Sequence, residues 1–420
     1  MEKLDRESEE FLSFLFTDKK LWQALYKIYI TFVNNDYEIF LIGGCVRDIL
    51  LKRKPKDWDF VTDATPDQIK KLFPKVKLIG EHFGVAEIVI NDIHFEIATY
   101  RSDQAYTNHR CPDSVIFASS LEEDVARRDF TINALALDID FNLYDYHGGL
   151  KDLRNKVIRT INNPKDRFHE DALRILRAIR LACQLGFNID SQTLSSINLL
   201  FEDVNKYVSK DRIHKEFIKI FNRNSLEKNS LDLIQETEII ENIFRESAII
   251  NHRLLTYDNL KEFSYFDYLV HSLYILFQNE NGIDFEKLKD KLIEYKFSNE
   301  EISNIIEIIK GTQNLYKINN KISLKKIQLN KYFEDILNFY KLIQKVYGDK
   351  NEFVDNQLEK LHHLDIKPII TGKDLLSLGF EQGKNLGLVL KFIFDWQLSD
   401  ESLTRKDLLE KAKQFKLTFN

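Results

Sequence analysis

Asp57 and Asp59 stand one residue apart in KPKDWDFVT, shortly after a glycine pair, Gly43-Gly44, and the pair Arg47-Asp48. Side chains of a strand alternate faces, so both carboxylates point one way and Trp58 points into the core. Two carboxylates beside a glycine turn make a seat for Mg2+ and a polyphosphate, because that ion takes a few carboxylate oxygens and completes its shell with water and phosphate. Gly43 and Gly44 let backbone N–H groups approach a phosphate, and the helix that follows adds a favourable dipole. The Arg47 fork suits phosphate oxygens. The chemistry implied is nucleotidyl transfer, with a hydroxyl attacking an α-phosphate and pyrophosphate leaving. Glu96, between Phe95 and Ile97 on another strand, is a candidate third carboxylate. A strand-face glutamate in solvent is its alternative. A bare D-x-D carries little weight: Asp138 and Asp140 form a second one, without a glycine turn, and read as a strand end.

Two further constellations follow. In ARRDFTINALALD, Arg128 can reach a phosphate or ribose, and Asp129 is expected to cap a helix starting at Phe130. In HEDALRILRAIRLACQLGF, Leu173, Ile175, Leu176, Ile179 and Leu181 supply an apolar helix surface. Asp171, Arg174, Arg177 and Arg180 recur every three residues and spiral slowly round the other side. Asp171 and Arg174 are expected to be neighbours there, an acceptor beside a donor fork, suited to the edge of a base. The competing reading is a solvated i,i+3 salt bridge worth a few tenths of a kcal/mol.

The elements that must hold these groups divide the chain in two. Residues 1 to about 35 read as helix, with Phe11, Leu12, Phe14, Leu15, Leu21, Leu25 and Ile28 at helical spacing. Strand signals cluster from about 38 to 161, beginning with Ile39 to Ile42, and short helices lie between them, including Val46 to Leu51 and Pro66 to Leu72 after Thr65. Beyond Asn163-Pro164 the pattern is amphipathic helix. The expected fold class is α+β: a head with a mixed β-sheet, then an all-helical neck, body and tail. Boundaries are expected at 1–161, 162–225, 226–345 and 346–420.

The composition suits a soluble multidomain protein: 420 residues, 44% apolar and 30% charged. A formal charge of −6 supplies no global basic field, so nucleic acid must be met by local patches. Residues 308–333 offer one, with Lys310, Lys317, Lys321, Lys325, Lys326 and Lys331 and no acid; Gly372-Lys373 and Gly383-Lys384 offer turns near the tail. Cys45, Cys111 and Cys183 form no C-x-x-C, and no long apolar run or secretory signal is present, so a reduced, cytoplasmic setting is expected.

Taken together the motifs resemble the class II tRNA nucleotidyltransferases, the bacterial CCA-adding enzymes, which share a superfamily with bacterial poly(A) polymerases. The patterns G-G-x-V-R-D with D-x-D, R-R-D-F-T-I-N-A and E-D-x-x-R occur in order over residues 38 to about 190, with weaker likeness at Ser209 to Phe221 and Thr371 to Phe380. The resemblance implies Mg2+ held by Asp57 and Asp59, and nucleotide contacts from Gly44, Arg47, Arg128, Asp129, Arg177 and Arg180. It implies that Asp171 and Arg174 pair with incoming CTP, then ATP, and that the helical part holds the tRNA whose 3′ end is extended. It implies no membrane and no obligate protein partner. A loop around Gln104 to Ser114, with Arg101, Asp103 and Arg110, is read as full length, which argues against C-only addition. An A-only enzyme, a poly(A) polymerase and an inactive RNA-binding module remain alternatives. The ten histidines show no H…HD…D arrangement, so no phosphatase activity is expected.

Overall fold

The computed structural model describes residues 2–3, 10, 13, 17–79, 84–103, 115–222, 224, 228–244, 255–280, 282–400 and 402–419. Contacts gather the chain into two units, Met1–Asn222 with Glu227–Arg245, and Arg223–Leu226 with Glu246–Asn420.

The first unit is built on a mixed sheet. Its strands are β1 (Glu2–Lys3), β2 (Ile39–Ile42), β3 (Asp59–Thr62), β4 (Lys77–Ile79), β5 (Val85–Ile90) and β6 (Ile93–Thr99). After a separate antiparallel pair, β7 (Arg101–Asp103) and β8 (Val115–Phe117), come β9 (Ala136–Leu137) and β10 (Asn142–Tyr144). The sheet order is β1-β10-β9-β2-β3-β6-β5-β4. Only β3 and β6 run parallel; every other neighbouring pair is antiparallel.

The continuous apolar run of β2 is buried on both faces. On one face Phe40, Ile42 and Val61 pack with Tyr100, Leu121, Val125 and Ile161. On the other lies helix α1 (Lys19–Val33), started by the Asp18 carboxylate accepting from Leu21 N–H. Tyr29 of α1 meets Phe60 edge-on at 5.4 Å, and Phe60 meets Phe95 at 6.2 Å. Helix is therefore correct for Lys19–Val33, and Glu10 and Ser13 are helical too, but Glu2–Lys3 is not. Glu2 and Lys3 pair with Leu143 and Asn142 as an edge strand. Backbone bonding at an open sheet edge asks for no side-chain pattern, so periodicity could not reveal it. Phe11, Leu12, Phe14 and Leu15 lie outside the described residues.

Short helices fill the turns of the head: α2 (Gly44–Leu50), α3 (Pro66–Leu72), α4 (Leu121–Ala126) and α5 (Gly149–Arg154). α3 carries the expected start, with a full capping box between Thr65 and Gln68 and Pro66 in the first turn. The chain then continues as α6 (Pro164–Glu170), α7 (Leu173–Leu185), α8 (Ser191–Tyr207), α9 (Lys210–Ile220), α10 (Lys228–Glu236) and α11 (Ile239–Phe244). A two-residue parallel ladder, β11 (Val157–Ile158) with β12 (Asn188–Ile189), ties the entry of α6 to the exit of α7.

Among the described residues the regular structure of the second unit is helical apart from a two-residue ladder at Gln278–Asn279 and Gly282–Ile283. Its helices are α12 (Tyr257–Leu260), α13 (Tyr265–Leu276), α14 (Phe285–Glu294), α15 (Asn299–Lys317), α16 (Lys321–Gln328), α17 (Phe333–Tyr347), α18 (Glu352–Asp355), α19 (Gly372–Ser377), α20 (Lys384–Ser399) and α21 (Arg405–Phe419). α15 and α17 approach so closely at Gly311 that a Cβ there would lie 2.5 Å from Ile336 Cδ1. Ile370, Leu375, Val389, Ile393, Leu408 and Ala412 form a second core over α19 to α21. Among the described residues no helix is long and apolar enough to cross a membrane.

Candidate active site

The carboxylate pair is set by the end of a strand. Trp58 is buried, 5% exposed, while Asp57 is exposed and Asp59, the first residue of β3, is half-buried. By strand alternation Asp59 shares its face with Val61, whose apolar cluster fills the rest of that face. Glu96 on β6 is the register partner of Asp59. Burial, then the Glu96 charge, push the Asp59 carboxyl up to about 6; Arg128 opposes this and Asp57 adds to it. Three acidic groups with one carboxyl held so high fit a hard divalent cation, which relieves the crowding. Among the described residues no three His, Cys, Asp or Glu side chains converge into a ready-made cage. An open carboxylate seat of this kind leaves room for water and phosphate in the shell of an ion such as Mg2+.

The glycine turn acts differently from expectation. Gly43 adopts φ +80°, open only to glycine at little cost. Its N–H donates to the Leu135 carbonyl at 3.1 Å, so it is not a free phosphate donor. A Cβ on Gly43 would lie 3.2 Å from Arg128 Nη1, which places that guanidinium against the turn. Cys45 in α2 donates its thiol to the Ile42 carbonyl at 3.2 Å. Burial pushes that thiol up to about 12, so it is no nucleophile.

The arginines are held by buried acids. Asp124, with a fully buried side chain, accepts from Arg127 at 2.7 Å and Arg128 at 3.1 Å. It also accepts from the backbone N–H of Arg101 at 3.2 Å. Burial raises its carboxyl, but Arg128 and Arg127 outweigh that and hold it below its ordinary value. Arg47 donates to Asp48 at 2.7 Å and, through Nη1, to Asn133 Oδ1 at 2.8 Å. The sequence expectation that Asp129 caps a helix starting at Phe130 is not met: a 3-10 turn, Thr131–Asn133, follows, with Phe130 at its cap position and no side-chain cap. Its Oδ1 accepts from Phe130 N–H at 2.8 Å and from Asn133 Nδ2 at 3.2 Å, and its Oδ2 from Arg177 Nε at 2.8 Å. Burial works against that carboxylate, yet Arg177 holds it down at about 2.

Asp171 departs from the helical spiral, whereas Arg174 lies in α7 with Arg177 and Arg180 and donates its N–H to the Asp171 carbonyl at 3.0 Å. Asp171 lies in the break between α6 and α7, at φ −147° and ψ 103°, so helical spacing does not apply to it. Oδ2 of Asp171 accepts from Arg212 of α9 at 2.8 Å. Arg174 is buried, 8% exposed, and donates to Glu170 at 2.6 Å and to the carbonyls of Arg167 and Arg127. Arg180 Nε lies 2.6 Å from Glu216 Oε2 of α9. The spiral of the sequence is thus a file of paired charges: Asp171, Arg177 and Arg180 take partners distant in sequence, while Arg174 keeps a local i,i+4 partner in Glu170 and not the Asp171 side chain.

Residues 39–159 match the family described as the Poly A polymerase head domain, and residues 271–412 match tRNA nucleotidyltransferase domain 2 (putative). The chain is 34% identical to the CCA-adding enzyme of Staphylococcus epidermidis, over 85% of its own length and 88% of that relative. The chain belongs to the CCA-adding enzymes. The CCA-adding enzyme of Ligilactobacillus salivarius is 32% identical over 90% of the chain and 93% of the relative. The fold matches the Bacillus stearothermophilus CCA-adding enzyme in complex with CTP, with TM-score 0.70, 23% identity, and coverage of 94% of this chain and 98% of that one. It also matches the Thermotoga maritima CCA-adding enzyme complexed with tRNA, with TM-score 0.65, 22% identity, and coverage of 93% and 94%.

For a CCA-adding enzyme, sequence spacing missed the groups that aim the others: Asp124, Asn133, Glu170, Arg212 and Glu216. Asn133 and Glu170 lay inside the motifs, next to the residues singled out. Arg212 and Glu216 lie in the Ser209 to Phe221 stretch of weaker family likeness and share one helix face at i,i+4 spacing, but nothing local names their partners. The loop Gln104 to Ser114, with Arg110 and Cys111, lies outside the described residues, and only Arg101 and Asp103 at its start belong to β7. In the lysine block, Lys326 is bound to Asp395 at 2.5 Å and Lys325 donates to the Leu398 carbonyl at 2.9 Å. These two cations hold α20 in place, leaving Lys310, Lys317, Lys321 and Lys331 as the exposed members of the block.

Proposed function

We propose that the chain adds C, C and A to the 3′ end of tRNA without a nucleic-acid template, using CTP and ATP and releasing pyrophosphate. The observation that carries this reading is the juxtaposition of Asp59 and Glu96, with Arg128 acting on the same carboxyl, in a chain of this family.

Asp57 and Asp59, with Glu96 as third carboxylate, hold Mg2+. When bound, that ion supplies positive charge to the phosphates and to the attacking hydroxyl. The protein side chains bind and orient. Arg128, fixed by Asp124 against the Gly43 turn, offers its fork to the triphosphate, and Arg47 does so from α2. Gly44 lets the backbone approach, and Asp129 with Arg177 and Arg180 lines the nucleotide site. Catalysis is then positioning and electrostatics, with no covalent nucleophile.

Asp171 and Arg174 read the base. Cytosine and adenine both present an exocyclic amino donor where uracil and guanine present an acceptor. A carboxylate accepts from the former and repels the latter, and the arginine fork serves the ring acceptors. The exposed lysines of α15 and α16 are assigned to the tRNA backbone. The head is assigned to 1–161, the neck with the base-reading segment to 162–225, and tRNA-binding body and tail to 226–345 and 346–420. The setting is the cytoplasm, where tRNA is the partner and no protein partner is required.

The test offers purified protein a tRNA lacking its CCA end with each NTP alone. CMP incorporation from CTP is expected, followed by AMP once two C residues are present. Incorporation of AMP alone would return the protein to the A-only or poly(A) branch of the superfamily.

A further inference from the structure

The sheet order sets the side from which the attacking hydroxyl arrives. Asp59 stands on β3, between β2 and β6. The groups assigned to the triphosphate lie on the β2 side: the Gly43 turn follows β2, Arg47 belongs to α2, and Arg128 rests against the turn. Displacement at phosphorus is in line, so the attacking and leaving oxygens take opposite sides of the α-phosphate. With pyrophosphate leaving on the β2 side, the 3′ end of the tRNA comes over β6, β5 and β4.

That part of the sheet carries its own pattern. On β6, His94 and Glu96 are exposed while Phe95 and Ile97 are buried. On β5, Val89 is 53% exposed and Glu87 is half-buried, while Ala86 and Ile88 are buried. The register aligns Lys77, Glu87, Glu96 and Asp59 in one row across four strands and sets His94 against Val89 in the next. The Glu96 N–H donates to the Trp58 carbonyl at 3.1 Å, so the pairing runs back toward Asp57 and brings His94 to that end of the carboxylate pair.

The His94 side chain is 68% exposed, and its Nδ1 lies 2.8 Å from Oε1 of Glu87, which is 23% exposed. An ionised carboxylate only accepts, so Nδ1 carries the hydrogen and the neutral ring keeps its lone pair on Nε2. Glu87 thus orients an acceptor toward solvent. A ribose differs from a deoxyribose by one donor, the 2′-hydroxyl, which is the group a protein uses to tell RNA from DNA. Val89 beside the ring offers apolar surface to the sugar, and the exposed Lys77 at the far end of the row suits a phosphate.

We propose that His94, oriented by Glu87, binds the last ribose of the tRNA, its Nε2 accepting the hydrogen of the 2′-hydroxyl that neighbours the attacking 3′-hydroxyl. The inference rests on the reading of Asp57 and Asp59 as the transfer centre. It adds a contact that recognises the acceptor end as RNA, on strands outside the nucleotide site.

The experiment compares two forms of a tRNA lacking CCA, with ribose or 2′-deoxyribose at the last nucleotide. Filter binding without NTP and kcat/KM for CMP addition are measured for the wild-type protein, His94→Ala and Glu87→Ala. The wild-type protein is expected to favour the ribose end about three- to tenfold, the worth of one hydrogen bond. His94→Ala binds both ends equally, at the wild-type affinity for the deoxyribose end, because the two changes remove the same contact. Glu87→Ala frees the ring and falls between. The KM for CTP stays unchanged in both variants. A wild-type protein without ribose preference overturns the contact, and so does a His94→Ala variant that keeps that preference, whether or not it binds both ends more weakly. Should His94→Ala fail to fold, His94→Phe, which keeps a ring and lacks the acceptor, carries the same comparison. Binding is read without turnover, so a wild-type protein that adds AMP but no CMP sinks the assignment of CCA addition while the ribose preference still decides the role of His94.

Discussion

Asp59 on β3 and Glu96 on β6 are register partners across the parallel pair of the sheet, which sets two acidic side chains side by side at the end of a buried strand. Burial and that neighbour raise the Asp59 carboxyl to about 6. A carboxyl raised in the fold makes the ionised form a cost. Stability from this group is therefore full below its unfolded value near 3.8 and is lost as pH rises to about 6. Asp59→Asn is expected to stabilise the metal-free protein at pH 7, by about 1–2 kcal/mol after allowing for partial exposure, while abolishing nucleotide transfer. Urea unfolding at pH 7 and pH 4 checks the sign: the gain shrinks at pH 4.

The same group makes cation binding compete with a proton. Mg2+ affinity is expected to be flat above about pH 6.5 and to fall by up to tenfold per pH unit below 6. Calorimetric titration of the nucleotide-free protein across pH 5 to 8 measures this. A flat profile would remove Asp59 from the cation site.

The Asp129 and Arg177 pair gives the opposite sign. Its carboxyl is held at about 2, so its contribution is present above 3.8 and lost as pH falls toward 2. Arg177→Met leaves a carboxylate that is 10% exposed without its main partner. The expected cost is about 2 kcal/mol, the value of a hydrogen bond to a charged group, with a smaller cost for Asp129→Asn. Denaturant midpoints of the two variants at pH 7 test the ranking.

Gly43→Ala combines a disallowed backbone with a contact of 3.2 Å to Arg128 Nη1. A strain of about 1–3 kcal/mol is expected. The more telling effect is on Arg128: the KM for CTP should rise severalfold, beyond what the loss of folded protein explains. Equal losses in folded fraction and turnover would mean that the turn does not aim the arginine.

Lys317 lines a cleft with Asn314, Asn320 and Ser323, and Lys321, the residue after Asn320, is exposed. Replacing both lysines with alanine is expected to weaken tRNA binding and to reduce the slope of log K against log salt by about 1–2. An unchanged slope in filter binding across 50 to 200 mM salt would place the tRNA elsewhere.

Much of the catalytic face could be read from alternation and order alone. The D-x-D spacing, the buried Trp58 and the strand–glycine–helix run from Ile39 to Leu50 are local features, and local rules govern them. The partners were not readable because they come from sequence-distant elements. Arg212 is 41 residues from Asp171, and Arg177 is 48 from Asp129. No periodicity connects such positions. Spacing made neighbours of Asp171 and Arg174, and the Arg174 N–H does donate to the Asp171 carbonyl at 3.0 Å, but their side chains take other partners, Arg212 and Glu170. Glu2–Lys3 escaped for a related reason, since its partners Leu143 and Asn142 are distant in sequence and two residues leave no periodicity to read.

The most direct measurement sequences the 3′ ends of a tRNA lacking CCA after incubation with CTP, ATP and Mg2+, for the wild-type protein and for Asp57→Ala/Asp59→Ala. Ends that finish in CCA with the wild-type protein, and unextended ends with the double variant, are expected. A wild-type product without C, or equal extension by the variant, would contradict the assignment of CCA addition to these two carboxylates.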